Sequence, residues 1–138
     1  ARIMPKTPVE LRKGVSCIAE GGEAAAPLFE RVGRVFILPE SQMNLAVATI
    51  GVTPAYIAVI VEAMIDAAAL NGLAPKLAAD MILETLIGTS HLIAKKDYDT
   101  LAVRRAVGSP GESTVRGVAA LERWKPGSST PDSWGFMP

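Results

Sequence analysis

The sequence predicts a mainly α domain of about four to five helices, led by a short N-terminal β-ribbon or strand segment. Two observations point there. Residues 1–40 hold brief β-branched runs, "ARIMP", "GVSCIA" and "RVFILP", closed off by Pro and Gly. After Ser41 the apolar residues recur at helical spacing between strong start and stop residues. A chain of 138 residues has room for one core. The expected domain covers residues 1–123, with strands and one helix over 1–40, helices over 41–123, and an irregular tail over 124–138.

The elements follow in order. Three short strands are too little for a stable sheet, so they predict the edge of a larger sheet or a ribbon packed on something else. "APLFERVG" places Leu28, Phe29 and Val32 at helical spacing before a Gly33 stop. One helix is expected from Gln42 to about Ile50; the chain loosens at Gly51 and restarts with Thr53 as cap and Pro54 at the first helical position, running to Asn71-Gly72. Pro75 opens the next helix, through about Lys95. Lys76, Asp80 and Glu84 recur every four residues along it and read as a solvated stripe. A short helix spans about Asp99 to Val107, and another about Gly111 to Arg123. The tail "KPGSSTPDSWGFMP" is rich in Pro, Gly and Ser. Trp124, Trp134 and Phe136 there either fold onto a neighbouring groove or stack on a ligand.

Composition excludes several function classes. The 14 basic and 14 acidic residues cancel, and no basic stripe marks a nucleic-acid partner. One Cys and one His make neither a disulfide framework nor a closed zinc site, so no metal is expected, and the lone Cys17 fits a reducing, cytoplasmic compartment. "ARIMPKTP" has neither the apolar core nor the cleavage pattern of a signal peptide. The chain does not begin with Met, which suggests a trimmed piece of something longer. Leu45 to Val61 is free of charge, but Gly51, Thr53 and Pro54 interrupt it and Glu62 and Asp66 follow. A buried helix, not a membrane span, is expected there. Such a helix in a small protein needs a cover, and a partner subunit is the natural one.

Chemistry concentrates in "VGSPGESTVRGVAALE". Ser109, Pro110, Gly111 and Glu112 fit a capping box, and the same helix start presents free N–H groups to a carboxylate or phosphate, with Ser113 and Thr114 adding hydroxyls. Glu112 is therefore either a cap or an acid-base group. If it caps, a second carboxylate arriving there meets repulsion of about 1 to 4 kcal/mol. His91 is either an ordinary partly exposed or core histidine or a catalytic one, the latter needing Asp97 or Asp99 within reach. Tyr56 is either a packed ring or a proton donor. No Walker loop, nucleophile elbow or GxGxxG motif is present.

"RIMPKTPVELRKGVSCIA", "GVTPAYIAVIVEAMIDAAALNGLAPKLA" and "VGSPGESTVRGVAALE" together resemble, in order and spacing, the C-terminal part of pyrroline-5-carboxylate reductases. There the corresponding stretches read approximately R-V-M-P-N-T-P, S-G-S-G-P-A-Y and V-S-S-P-G-G-T-T. The resemblance covers roughly Arg2 to Glu122. It implies a helical dimerisation domain preceded by the last strands of a Rossmann domain, an interlocked homodimer, and a small-molecule pocket at the interface. It also implies that Ser113 and Thr114 inherit the contact to a substrate carboxylate, with Ser109 and Gly111 in the same helix start and Asp97 as an acidic pocket residue. The departures are specific. Lys6 replaces Asn, Ile50-Gly51-Val52-Thr53 replaces S-G-S-G, Glu112 replaces the second Gly, the usual Lys at His91 is gone, and a Pro/Ser tail replaces the final helix. Ile50, Val52, Thr53 and Tyr56 would line the inherited pocket. Exchanging hydroxyls for hydrocarbon disfavours a polar substrate and favours an apolar one.

The first expectation is a reductase-like dimerisation and ligand-binding domain lacking its NAD(P)H-binding half, with no cofactor in this chain and no self-sufficient reductase activity. The second is a cofactor-independent biosynthetic enzyme, a cyclase, isomerase or dehydratase, with Glu112, Asp97 and His91 as its acids and bases. The third is a structural dimerisation module for a separate nucleotide-binding subunit.

Overall fold

The computed structural model describes residues 2–5, 7–108 and 113–124. Helices dominate, behind a three-stranded sheet at the N-terminus. The chain divides into two compact units, with the boundary between Ile60 and Val61.

In the first unit, β1 (Ile3–Pro5) pairs antiparallel with β2 (Gly14–Ala19), and β2 pairs parallel with β3 (Gly33–Leu38), giving the order β1-β2-β3. A 3-10 turn over Thr7–Leu11 joins the first pair; another over Glu23–Ala25, followed by α1 (Ala26–Glu30), makes the crossover. Neither 3-10 turn was expected from sequence. The central strand is covered on both faces. Cys17 and Ala19 pack with Met43 and, around them, Met4, Leu38, Ala46 and Ile50, while Ser16 and Ile18 alternate to the other face and are also buried. The strands thus form a ribbon packed on the start of α2. At that junction the Arg2 guanidinium donates to Glu40 Oε1 at 3.0 Å and to Asn44 Oδ1 at 2.6 Å. The Arg2–Glu40 pair is half-exposed and adds at most about 1 kcal/mol.

Two glycines set the sheet. Gly14 and Gly33 are paired in register, and a Cβ on Gly33, whose φ is 154°, would overlap the Gly14 carbonyl. β3 is one of the two edge strands, and on it Arg34 lies 5.3 Å over the Phe36 ring.

The expected break at Gly51 is corrected by the structure: α2 runs unbroken over Glu40–Leu70, with Pro54 inside it. Thr53 is not a cap, for its hydroxyl donates to the Thr49 carbonyl at 2.8 Å, as Thr49 does to Leu45. Ending a helix leaves up to four N–H and four C=O groups without partners. Keeping those groups paired is what an unbroken helix gains against the cost of about 1 kcal/mol for Gly51 and about 3 kcal/mol for Pro54. With the break removed, α2 and α3 (Pro75–Lys95) are each long and apolar enough to cross a membrane by length and composition.

The turn after α2 matches its signal. Gly72 is left-handed at φ 92°, and the Leu73 N–H reaches back to the Ala68 carbonyl at 3.1 Å, a Schellman closure. Pro75 opens α3 as expected. The Lys76–Asp80 pair, 3.3 Å apart, is well exposed, as a solvated stripe requires. After α3, Asp97 and Tyr98 are both left-handed, at φ 51° and 63°, and Asp99 caps α4 (Thr100–Ala106) by accepting from the Ala102 N–H at 2.8 Å. The last described helix, α5 (Ser113–Trp124), includes Trp124, which the expected boundary placed in the tail.

Gly72→Ala meets nothing within 4 Å, so its cost is conformational alone, about 1 kcal/mol. Urea unfolding should show a lower midpoint with an unchanged slope. Gly33→Ala should cost far more, through the Gly14 carbonyl, and lose the folded baseline. The reverse order would contradict this account of the two turns.

Candidate functional site

In the second unit, α4 and α5 enclose a cleft of about 370 Å³. Leu101, Val115, Val118 and Ala119 form its apolar floor; Arg104, Arg105, Thr114 and Glu122 supply its polar edge. Arg104 is paired with Glu122 across the two helices. Arg105 has no ion-pair partner among the described residues and is exposed. Thr114 lies in the first turn of α5, where backbone N–H groups are unsatisfied by the helix and the dipole is positive. A hydroxyl, a free guanidinium and a helix start make a place that can hold an acid group. Among the described residues the carboxylate lining the cleft, Glu122, is engaged by Arg104.

A second cleft, of about 400 Å³, lies in the first unit between the 3-10 turn and α2. It is lined by Pro8, Lys13, Val15, Ile50, Thr53, Pro54 and Ile57. The four α2 residues recur at i, i+3, i+4 and i+7, one face of the helix.

The residues predicted from sequence distribute as follows. Thr114 lines the α4–α5 cleft, and Ile50 and Thr53 line the cleft beside α2. Val52 and Tyr56 lie on α2 but line neither. Ser113 is the first residue of α5, while Ser109, Gly111 and Glu112 lie outside the described residues. Asp97 occupies the left-handed turn between α3 and α4, and His91 is exposed near the end of α3. Among the described residues no hydrogen bond or ion pair joins His91 to Asp97 or Asp99. Sequence reasoning missed Arg104 and Arg105, which sit in the last turn of a short helix where cations are ordinary complements of the dipole. It also missed Pro8 and Lys13, whose place beside α2 is a long-range contact.

No group of three or more His, Cys, Asp and Glu is assembled among the described residues. For a dinucleotide, the relevant device is a glycine turn from a strand into a helix start. The turn after β2, Gly21-Gly22, leads into Glu23, whose carboxylate accepts from the Gly21 N–H at 2.9 Å. Backbone bonds from Gly21 and from Glu23 itself hold that carboxyl below the usual glutamate range. The N–H is taken and the site is negative, so these residues do not fit a pyrophosphate.

Comparison with known proteins agrees with this architecture. Residues 40–130 match the pyrroline-5-carboxylate reductase dimerisation family. A pyrroline-5-carboxylate reductase of Synechocystis is 34% identical over 129 residues, covering 88% of this chain and 48% of the relative. One of Schizosaccharomyces pombe is 31% identical over 131 residues, covering 90% and 46%. The crystal structure of a Plasmodium falciparum pyrroline carboxylate reductase with NADP bound superposes with a TM-score of 0.79 at 27% identity, over 88% of this chain and 52% of that one. A Coxiella burnetii pyrroline-5-carboxylate reductase gives 0.79 at 28%, over 89% and 48%. The chain spans about half the length of these relatives. From its matched helices and from the strands that lead into them, the chain belongs to the pyrroline-5-carboxylate reductase dimerisation family.

Proposed function

We infer that this chain is the dimerisation and ligand-binding part of a pyrroline-5-carboxylate reductase-like protein. It forms a soluble, cytoplasmic homodimer by burying the apolar faces of α2 and α3 against a second copy. It holds a small acid in the α4–α5 cleft, at Thr114 and Arg105. These 138 residues alone are not a self-sufficient reductase.

The observation behind this reading is the amount of apolar helix surface left uncovered. Only 6% of the most apolar stretch of α2, and 6% of that of α3, is buried. Val59 is 62% exposed, Ile60 54% and Met81 56%. Covering a half-exposed side chain of this size yields roughly 1 kcal/mol. A face built of many such residues therefore exceeds the association cost of about 4–15 kcal/mol. A protein cover rather than lipid is supported by Lys76, Asp80 and Glu84, which run along α3 and would be expensive inside a bilayer. The ligand reading rests on Thr114 in a helix start beside a cation without a partner. The reading that these residues alone do not carry out the reduction is supported by the chain's spanning about half the length of the reductases it matches.

Sedimentation at micromolar concentration should give a dimer mass for the chain and a monomer or insoluble protein for Val59→Asp with Met81→Asp. A monomeric parent would reject the reading. Given NADPH and pyrroline-5-carboxylate, the isolated 138 residues should show no turnover above background. L-Proline, used as a probe acid, should bind Thr114→Val and Arg105→Gln several-fold more weakly than the parent, an outcome read by calorimetry.

A further inference from the structure

We propose that Asn71-Gly72, the turn that ends α2, is a site of spontaneous covalent modification: Asn71 deamidates through a cyclic imide, at a rate set by how often the last turn of α2 opens. The proposal rests on the hydrogen bonds of that one turn. It is independent of the dimer and of both clefts.

The sequence supplies the reacting groups. The Gly72 backbone nitrogen attacks Asn71 Cγ, so that a new C–N bond closes a succinimide ring. The Cγ–Nδ2 bond breaks, and the amide nitrogen leaves as ammonia, taking the proton that the Gly72 nitrogen gives up. Solvent water then opens the ring at either carbonyl. One opening leaves aspartate at position 71; the other leaves isoaspartate, whose backbone runs through the former side chain and is longer by one methylene. Glycine hinders the attack least, since it carries no Cβ beside the nucleophile. The other asparagine, Asn44, precedes Leu45, whose side chain crowds the same nitrogen, and Asn44 Oδ1 is held by Arg2 at 2.6 Å.

The fold gives the reaction both access and restraint. Leu70 is 88% exposed, Asn71 and Gly72 are exposed, and nothing lies within 4 Å of where a Gly72 Cβ would sit, so water and hydroxide reach the pair. Against this, Asn71 Nδ2 donates to the Ala67 carbonyl at 2.8 Å, which turns the carboxamide back along α2 and away from the Gly72 nitrogen. The attacking N–H is itself engaged, donating to the Ala69 carbonyl at 3.0 Å, and the Leu73 N–H donates to the Ala68 carbonyl at 3.1 Å. All three acceptors lie in the last turn of α2. Cyclisation therefore requires that turn to open, and an exposed helix end opens at a small part of the global unfolding free energy. The folded chain runs the reaction, slowed by the fraction of time the turn is closed.

Neither product refits the turn. Each replaces the donor on the Ala67 carbonyl with a carboxylate beside the negative end of the α2 dipole. Isoaspartate also lengthens the chain ahead of Gly72, which moves the Gly72 and Leu73 N–H groups off their carbonyls. The change runs one way and leaves the joint between α2 and α3 weaker.

The test incubates the full 138-residue chain at mildly alkaline pH, folded and unfolded in guanidinium, and follows position 71 by peptide mass mapping. Hydrogen exchange of the Gly72 and Leu73 amides is measured on the folded sample. Aspartate and isoaspartate should form at position 71 in the unfolded chain and at least about tenfold more slowly in the folded one, with Asn44 intact in both. Guanidinium below the unfolding transition should speed the folded reaction in step with amide exchange, and Asn71→Gln should abolish it. The deamidated fraction, separated by its added negative charge, should unfold at a lower guanidinium midpoint than the parent at equal protomer concentration. No product at position 71 in the unfolded chain would overturn the proposal, as would equal rates in the two states or a folded rate that ignores faster exchange. An unchanged midpoint would overturn the weakening of the turn.

Discussion

The structure depends on an imbalance between apolar surface and the means to cover it. Among the described residues, six apolar side chains are buried: Cys17, Ile18, Ala19, Met43, Ala78 and Val103. Ordering each residue costs about 1–2 kcal/mol in backbone entropy, and so small a buried set cannot offset that over two long helices. In α2 only Met43 is buried, and in α3 only Ala78. In the proposed homodimer, most of the free energy that keeps these helices folded comes from surface covered by the second copy. For such a chain, folding and association are one equilibrium, and stability depends on protomer concentration.

The small sheet gives that exposed helix a fixed beginning. β2 is buried on both faces, and Met43 closes its inner side, so the first turns of α2 are held by a packed cluster and by Arg2 across Glu40 and Asn44. Left-handed residues then set where the chain reverses. Arg12 turns it into β2, Gly72 ends α2, and Asp97 with Tyr98 separates α3 from α4. At Gly72 this conformation is natural. At Arg12, Asp97 and Tyr98 it is sparsely populated for a residue with a Cβ and is sustained by the surrounding hydrogen bonds, among them Lys13 N–H to Pro8 and Tyr98 N–H to Ile93. Two of these strained turns flank the clefts: one sets a wall of the cleft beside α2, the other leads into the helix that presents Arg104 and Arg105.

Much of the fold was legible because its boundaries are local chemistry. Pro75 at a helix start and Asn71-Gly72 at a helix end each act within a few residues and stand where expected, and the short helix expected from about Asp99 is there, with Asp99 as its cap. The three strands were legible from their β-branched runs, while their order and the parallel pairing of β2 with β3 were not, since register depends on partners far along the chain. The 3-10 turn over Thr7–Leu11 escaped notice because its closure rests on a left-handed arginine, Arg12, that no composition rule marks. Of the candidate sites, Thr114 was legible through a helix-start motif. Arg105 and Lys13 were not, because a cation in a helix's last turn or an exposed loop is commonplace until an apolar wall is placed beside it. Ser109, Gly111 and Glu112 lie outside the described residues, so the capping box itself is untouched by these observations.

The misread break at Gly51 has a chemical consequence. Had α2 broken at Gly51 with Thr53 as a new cap, the amides of Ala55 and Tyr56 would stand free at a helix start. The Thr53 oxygen would accept from them, and the cleft beside α2 would be an amide-lined anion site tolerant of polar ligands. Because the helix is continuous, those amides lie inside it and the Thr53 proton goes to Thr49. Pro54, which in a broken helix would be an ordinary first residue, instead contributes a carbon wall. The charged side chain lining the cleft is then Lys13. The integrity of one backbone hydrogen-bonded helix thus decides whether the wall along α2 is polar or carbon.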